Sequence, residues 1–250
     1  MPPLRERADS NPYRSPGANV DVPDAPLSAR TRSTKGMLLV YGAVAVLSMA
    51  FEVFSYVYLG QLASGVRLAG ISPHLFDRAT RFLAVSQLGV FLVTGVLILR
   101  WIYRARECLD ALSAVGMRFS PGWSIGWYFV PFANLWKPFR AMAEIWKASQ
   151  TPQAWKDQPT PGLLRWWWGL WLLVSLLGQT VSRLAPHART LEQLQGLSLL
   201  SVADSATHVA LAATLTVIME RIDGMQRAHF ADLSQAAVTA ATGAEVKPVV

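Results

Sequence analysis

The chain reads as an all-α integral membrane protein: a helical bundle of four transmembrane helices, with a re-entrant or interfacial helical hairpin on the cytoplasmic side. Three observations carry this reading. Hydrophobic residues make up 52% of the 250 positions and charged residues only 16%, whereas a soluble domain carries about 25% charged residues. The apolar residues gather in four runs, each close to the roughly 20 residues that cross a bilayer as a helix. Lys and Arg lie between those runs and are unevenly shared among the loops, which is the pattern that orients a membrane protein.

The expected spans are residues 36–59, 82–103, 163–184 and 197–219, within a membrane domain over 36–235. Helix is forced, because in lipid the backbone must satisfy its own hydrogen bonds. Residues 1–35 hold six prolines and five arginines and no aliphatic cluster. Such a segment buries too little apolar surface to offset its chain entropy, so a disordered tail is expected there, and a second one over 236–250. No apolar stretch of signal-peptide length precedes the first span, which is expected to act as its own targeting signal.

Eighteen of the Lys and Arg residues fall on the side of the termini and the central segment, against five in the two other loops. Both termini and the central segment are therefore expected in the cytoplasm. The net charge of +7 then serves orientation and anionic headgroups, not nucleic acid, for which no reader motif is present. Membrane lipids are the expected partners, with a protein partner at the cytoplasmic face as the alternative. The single Cys108 excludes an intramolecular disulfide and a multi-cysteine metal site. No metal or cofactor is expected.

The central segment "RFSPGWSIGWYFVPFANLWKPFRAMAEIWKAS", residues 118–149, is apolar yet broken by Pro121, Pro131 and Pro138. A fifth span at 120–136 would carry Lys137, Arg140, Lys147 and Lys156 to the outside, against the charge rule. The expectation is a short helix from Pro121 to Pro131 dipping into the leaflet, then a turn over 134–138. From 137 to 149, Phe139, Met142 and Trp146 share one helical face, and Lys137, Arg140, Glu144 and Lys147 share the other. That is the pattern of an interfacial amphipathic helix. Glu144 is expected at its surface, paired with Arg140 and Lys147.

Polar residues inside spans are costly and mark functional candidates. Here they are Glu52, Gln87, Gln179, Asp204 and His208. Spans one and four are expected to be neighbours, with Glu52 near Asp204 or His208. A proton relay, a small-ligand site or simple helix pairing would each use these groups. Trp166, Trp167, Trp168 and Trp171 have the pattern of an interfacial aromatic belt.

The stretches "WIYRARECLDAL", residues 118–149 and "RIDGMQ" together resemble a bacterial membrane-protein family, that of the domain of unknown function 4328. The resemblance rests on Trp101 and Arg104, on Ser120, Pro121, Gly122 and Trp123, and on Trp127, Pro131, Asn134, Leu135 and Pro138. Glu144 and Trp146 follow, then Arg221 and Gln226. It implies a multi-pass protein of the bacterial inner membrane and no activity. No phosphate-binding glycine loop or nucleophile elbow appears, so a non-enzymatic membrane module binding lipid headgroups or a protein partner through its aromatic hairpin is the leading expectation. A small proton-coupled carrier using Glu52, Asp204 and His208 is one alternative, and a lipid-modifying enzyme another.

Overall fold

Six α-helices account for the fold, and no strand occurs among the described residues. The computed structural model describes residues 27–65 and 72–244. The helices are α1 (Leu27–Ala63), α2 (Pro73–Ala111), α3 (Pro121–Gly126), α4 (Lys137–Gln150), α5 (Gly162–Leu184) and α6 (Leu191–Ala244). Single 3-10 turns follow α3 and precede α4.

Local chemistry sets the ends. Ser72 and Ser120 cap α2 and α3, each accepting a backbone N–H three residues on, and a proline follows each cap. Thr190 and Gln193 form a reciprocal capping box at the start of α6, each side chain accepting from the other's backbone N–H at 3.2 Å. Two expected boundaries are corrected. The tail expected over 1–35 is helical from Leu27, with Leu27, Thr31 and Thr34 buried, and α6 runs on to Ala244 through residues read as tail. Residues 1–26 and 245–250 lie outside the described residues.

α1 and α6 run antiparallel and share the largest interface. Lys35 pairs with Glu220 at one end, and Gln195 Nε2 donates to the carbonyl of Tyr56 at the other. α5 packs on α6 and α2 on α1, while α4 is wedged among α2, α5 and α6. The core sits at this wedge. Trp101, Ile102, Leu109, Met142, Ile145, Leu164, Ile218, Met219 and Ile222 are all fully buried there.

Among the described residues three helices are long and apolar enough to cross a membrane: α1, α2 and α6. In the most apolar stretch of α2 only 6% is buried within the protein. A surface of Phe82, Val85, Leu88, Phe91 and Leu92 facing outward needs an apolar surrounding. The molecule is thus read as a multi-pass membrane protein. The third expected span, 163–184, coincides with α5, which is not among these three.

α4 departs from the interfacial helix expected for it. Its apolar face does not meet lipid: Met142 and Trp146 are buried in the protein core. The amphipathic pattern is the same for both environments, and tertiary cover by α6 decides between them. The tryptophan belt is divided in the same way. Trp166 is exposed, while Trp167 and Trp168 are buried against the hairpin.

Candidate functional site

The hairpin is held from below by tryptophan and arginine donors. Trp168 Nε1 donates to the carbonyl of Leu135 at 3.1 Å, and Trp155 Nε1 donates to the carbonyl of Val115 at 2.9 Å. Arg106, itself buried, donates to the carbonyl of Phe119 at 2.7 Å and to Asp110 at 2.6 Å. Gly116 has φ +71°, and a Cβ there would lie 2.8 Å from Lys156 Nζ. The positive φ favours glycine at that turn, whereas the lysine end could move aside. Phe132 adopts φ 62° at the hairpin tip, a conformation costly for a side chain with Cβ.

These ties leave a pocket of about 580 Å³ between α4 and the loops around it. Five cations line it: Arg118, Lys137, Arg140, Lys147 and Lys156. Its aromatic walls include Phe119, Trp123, Trp127 and Trp155. Lys137 Nζ lies over the Trp127 ring at 5.0 Å and over Phe119 at 5.8 Å, so these rings position the charge.

Glu144 is the single carboxylate in that lining. It was expected on the surface, paired with Arg140 and Lys147, and the structure corrects this. Glu144 is buried and accepts the backbone N–H of Arg118, with the N–H of Phe119 also directed at it. Burial pushes its carboxyl above the ordinary range. The two N–H groups and the Arg106 and Arg118 charges act in the opposite direction without cancelling it. Local i,i+4 spacing suggested the ion pairs, and a partner 26 residues upstream has no local signal. None of the five cations forms an ion pair among the described residues.

The other residues of the motif divide between scaffold and pocket. Trp101 is fully buried, and its Nε1 donates to Thr31 Oγ1 at 2.9 Å. Arg104 pairs with Glu107 at 2.5 Å. Ser120 and Pro121 start α3, and Gly122 lies in its first turn. Trp123 and Trp127 line the pocket. The carbonyl of Pro131 accepts from Ala133 N at 2.7 Å, and Asn134 N donates to the carbonyl of Val130 at 3.0 Å, closing the tip. Pro138 and Trp146 are buried, Arg221 is exposed, and Gln226 is buried. Gln226 Nε2 donates to the carbonyl of Ala105 and to Ser149 Oγ, both at 2.9 Å, which joins α6 to α2 and α4.

Among the intramembrane candidates, Asp204 and His208 lie together. His208 Nδ1 is 2.9 Å from the Asp204 carbonyl and 3.4 Å from its carboxylate. Tyr41 on α1 meets the imidazole edge-on at 5.7 Å, a third member with no separate signal in the sequence. α1 and α6 are neighbours as expected, but Glu52 makes no hydrogen bond or ion pair with either residue. Gln87 instead accepts from Ser48 Oγ at 3.1 Å, and Gln179 is exposed on α5. Among the described residues no three His, Cys, Asp or Glu side chains converge as metal ligands would.

The motif can now be placed against known families. The model of a domain of unknown function, DUF4328, matches residues 72–224, more than half of the chain. The chain belongs to the DUF4328 family. The DUF4328 region covers α2 to most of α6, and so includes every wall of the cationic pocket. α1 and Gln226 lie outside it. No curated protein and no solved structure matches the chain.

Proposed function

We propose that this protein is a non-enzymatic membrane module whose hairpin pocket binds a phosphate-bearing anion, the headgroup of an anionic lipid, at the cytoplasmic face. The observation that carries this reading is five cations lining one pocket whose single carboxylate already accepts backbone N–H groups. An ammonium and guanidinium set that forms no ion pair among the described residues suits phosphate oxygens. Aromatic walls hold the cations in place and suit the headgroup level of a bilayer. In this reading four helices span the membrane, α5 among them, both termini are cytoplasmic, and Phe129, Phe132 and Leu135, all exposed at the hairpin tip, dip into the leaflet.

The test is titration of the full chain, purified in neutral detergent, with pyrophosphate and with a short-chain phosphatidic acid, read by tryptophan fluorescence. The Lys137→Ala/Arg140→Ala/Lys147→Ala variant should bind about two orders of magnitude more weakly, at about 1 kcal/mol per cation. Unchanged affinity in that variant, or no binding of either probe by the wild type, refutes the proposal.

A second reading rests on Tyr41, Asp204 and His208. Asp204 Oδ1 is buried without a hydrogen-bond partner, an arrangement that suits a site for a transferable proton in a small carrier.

A further inference from the structure

The buried hydrogen bond from Trp101 to Thr31 fixes α1 and α2 at one height. The residues next to them in sequence, Arg30 and Arg100, are held at that height too, and both are exposed on the outside of the bundle. Both line a groove of about 350 Å³ together with Val96, Leu99, Tyr103 and Ile125, and its walls are almost wholly apolar, so the arginines give it their aliphatic stems and carry their charged ends at its rim. No carboxylate lines it, and neither guanidinium forms an ion pair or side-chain hydrogen bond among the described residues. Two guanidiniums at the rim of an apolar groove, with no carboxylate beside them, favour an anion there.

The rest of the wall indicates the kind of anion. Leu88, Leu92, Val96 and Arg100 recur every four residues on α2, so they form one stripe, and all four are exposed. From Arg100 to Leu88 this stripe is about 18 Å long at 1.5 Å per residue, the scale of one acyl chain. A free phosphate would leave it uncovered. We infer that the groove binds one anionic phospholipid, its phosphate held between Arg30 and Arg100 and an acyl chain laid along Val96, Leu92 and Leu88. The groove shares no residue with the hairpin pocket. The lipid would join α1 to α2 from outside, one residue away from the Thr31–Trp101 bond that joins them from inside.

The test is native mass spectrometry of the full chain in neutral detergent, with phosphatidylglycerol, phosphatidylcholine and glycerol 1-phosphate as probes. The chain carries Lys137→Ala/Arg140→Ala/Lys147→Ala throughout, which removes the hairpin site, and one phosphatidylglycerol should then be retained in preference to phosphatidylcholine. Arg30→Ala/Arg100→Ala should lower that retention about thirtyfold, since each basic residue near an anionic lipid contributes a factor of about five. Arg30→Gln/Arg100→Gln, which keeps the length of the side chains, should lower it similarly and stands in if the alanine pair folds poorly. In the wild-type chain a second phosphatidylglycerol should occupy the hairpin pocket, so failure of one site is distinguishable from failure of the other. Equal retention of phosphatidylcholine, or full retention in both arginine variants, overturns the inference. Competition by glycerol 1-phosphate at the concentration of the lipid overturns it as well, because the site then takes a free anion.

Discussion

Replacing Glu144 with alanine should release the Arg118–Phe119 turn and open one wall of the cationic pocket. Glu144 is buried and accepts the N–H of Arg118 across 26 residues of chain. A hydrogen bond to a charged acceptor contributes about 1.5–3 kcal/mol. Relief of the carboxylate's own burial offsets part of that, leaving a net cost of about 2 kcal/mol for local opening. Since 1.4 kcal/mol is a factor of ten, the open form should become about thirtyfold more populated. Arg118 is an exposed trypsin site whose backbone is tied down. When closing is faster than cutting, cleavage follows the open population. Limited trypsinolysis should therefore cut after Arg118 about thirtyfold faster in Glu144→Ala. Glu144→Gln should fall between, because its amide oxygen can still accept one N–H while its NH2 meets the other. The sign of the pH dependence also follows. Glu144 holds its proton more tightly folded than unfolded, so the closed turn gains a further, protonation-linked stability that is fully present in acid and is lost as pH rises through the raised value, leaving the hydrogen bond itself. Glu144→Gln should remove that slope. Cleavage after Arg118 that is no faster in the alanine variant would refute the assignment of Glu144 as the tie.

Three other outcomes are expected. Cysteines introduced at Arg30, Lys156 and Lys247 should all label from the cytoplasm, with little background because the native Cys108 is buried; labelling of Lys156→Cys from outside would make the hairpin a true span. Gln226→Leu leaves the Ala105 carbonyl and Ser149 hydroxyl without their shared donor and should cost about 2–4 kcal/mol, read as a lowered Tm in detergent. Asp204→Asn should fold normally, and loss of proton uptake by reconstituted vesicles in that variant alone would favour the carrier reading.

Much of the architecture was legible in the sequence because hydropathy is a local property. The run at 163–184 matches α5 almost to the residue, and prolines 121, 131 and 138 mark the breaks around α3 and the tip. The helix ends at Leu27 and Ala244 were not legible. Turns rich in Ser, Thr and Arg carry no apolar signal, and α1 is held at its start by Thr31 bonding to Trp101, 70 residues away. Glu144 shows the same limit within the site. Its spacing from Arg140 and Lys147 is that of a surface pair, and only the fold could reveal that a backbone donor takes the carboxylate first. Glu52 shows it in the membrane: it lies eleven residues beyond Tyr41 on α1, about 16 Å along the axis at 1.5 Å per residue, and that separation keeps it from the Tyr41–His208 contact.

The position of Gln226 has a consequence for how the protein is made. It reaches Ser149 across 77 residues, and Ile218, Met219 and Ile222 close the core over Met142, Ile145 and Trp146. At about 5–20 residues per second of synthesis, the hairpin waits roughly 4–15 s for its cover. During that time α4 has only α2, the arriving α5 and the bilayer surface to shelter its apolar face. A stop codon anywhere before Ile218 therefore damages the middle of the chain as much as the end it removes.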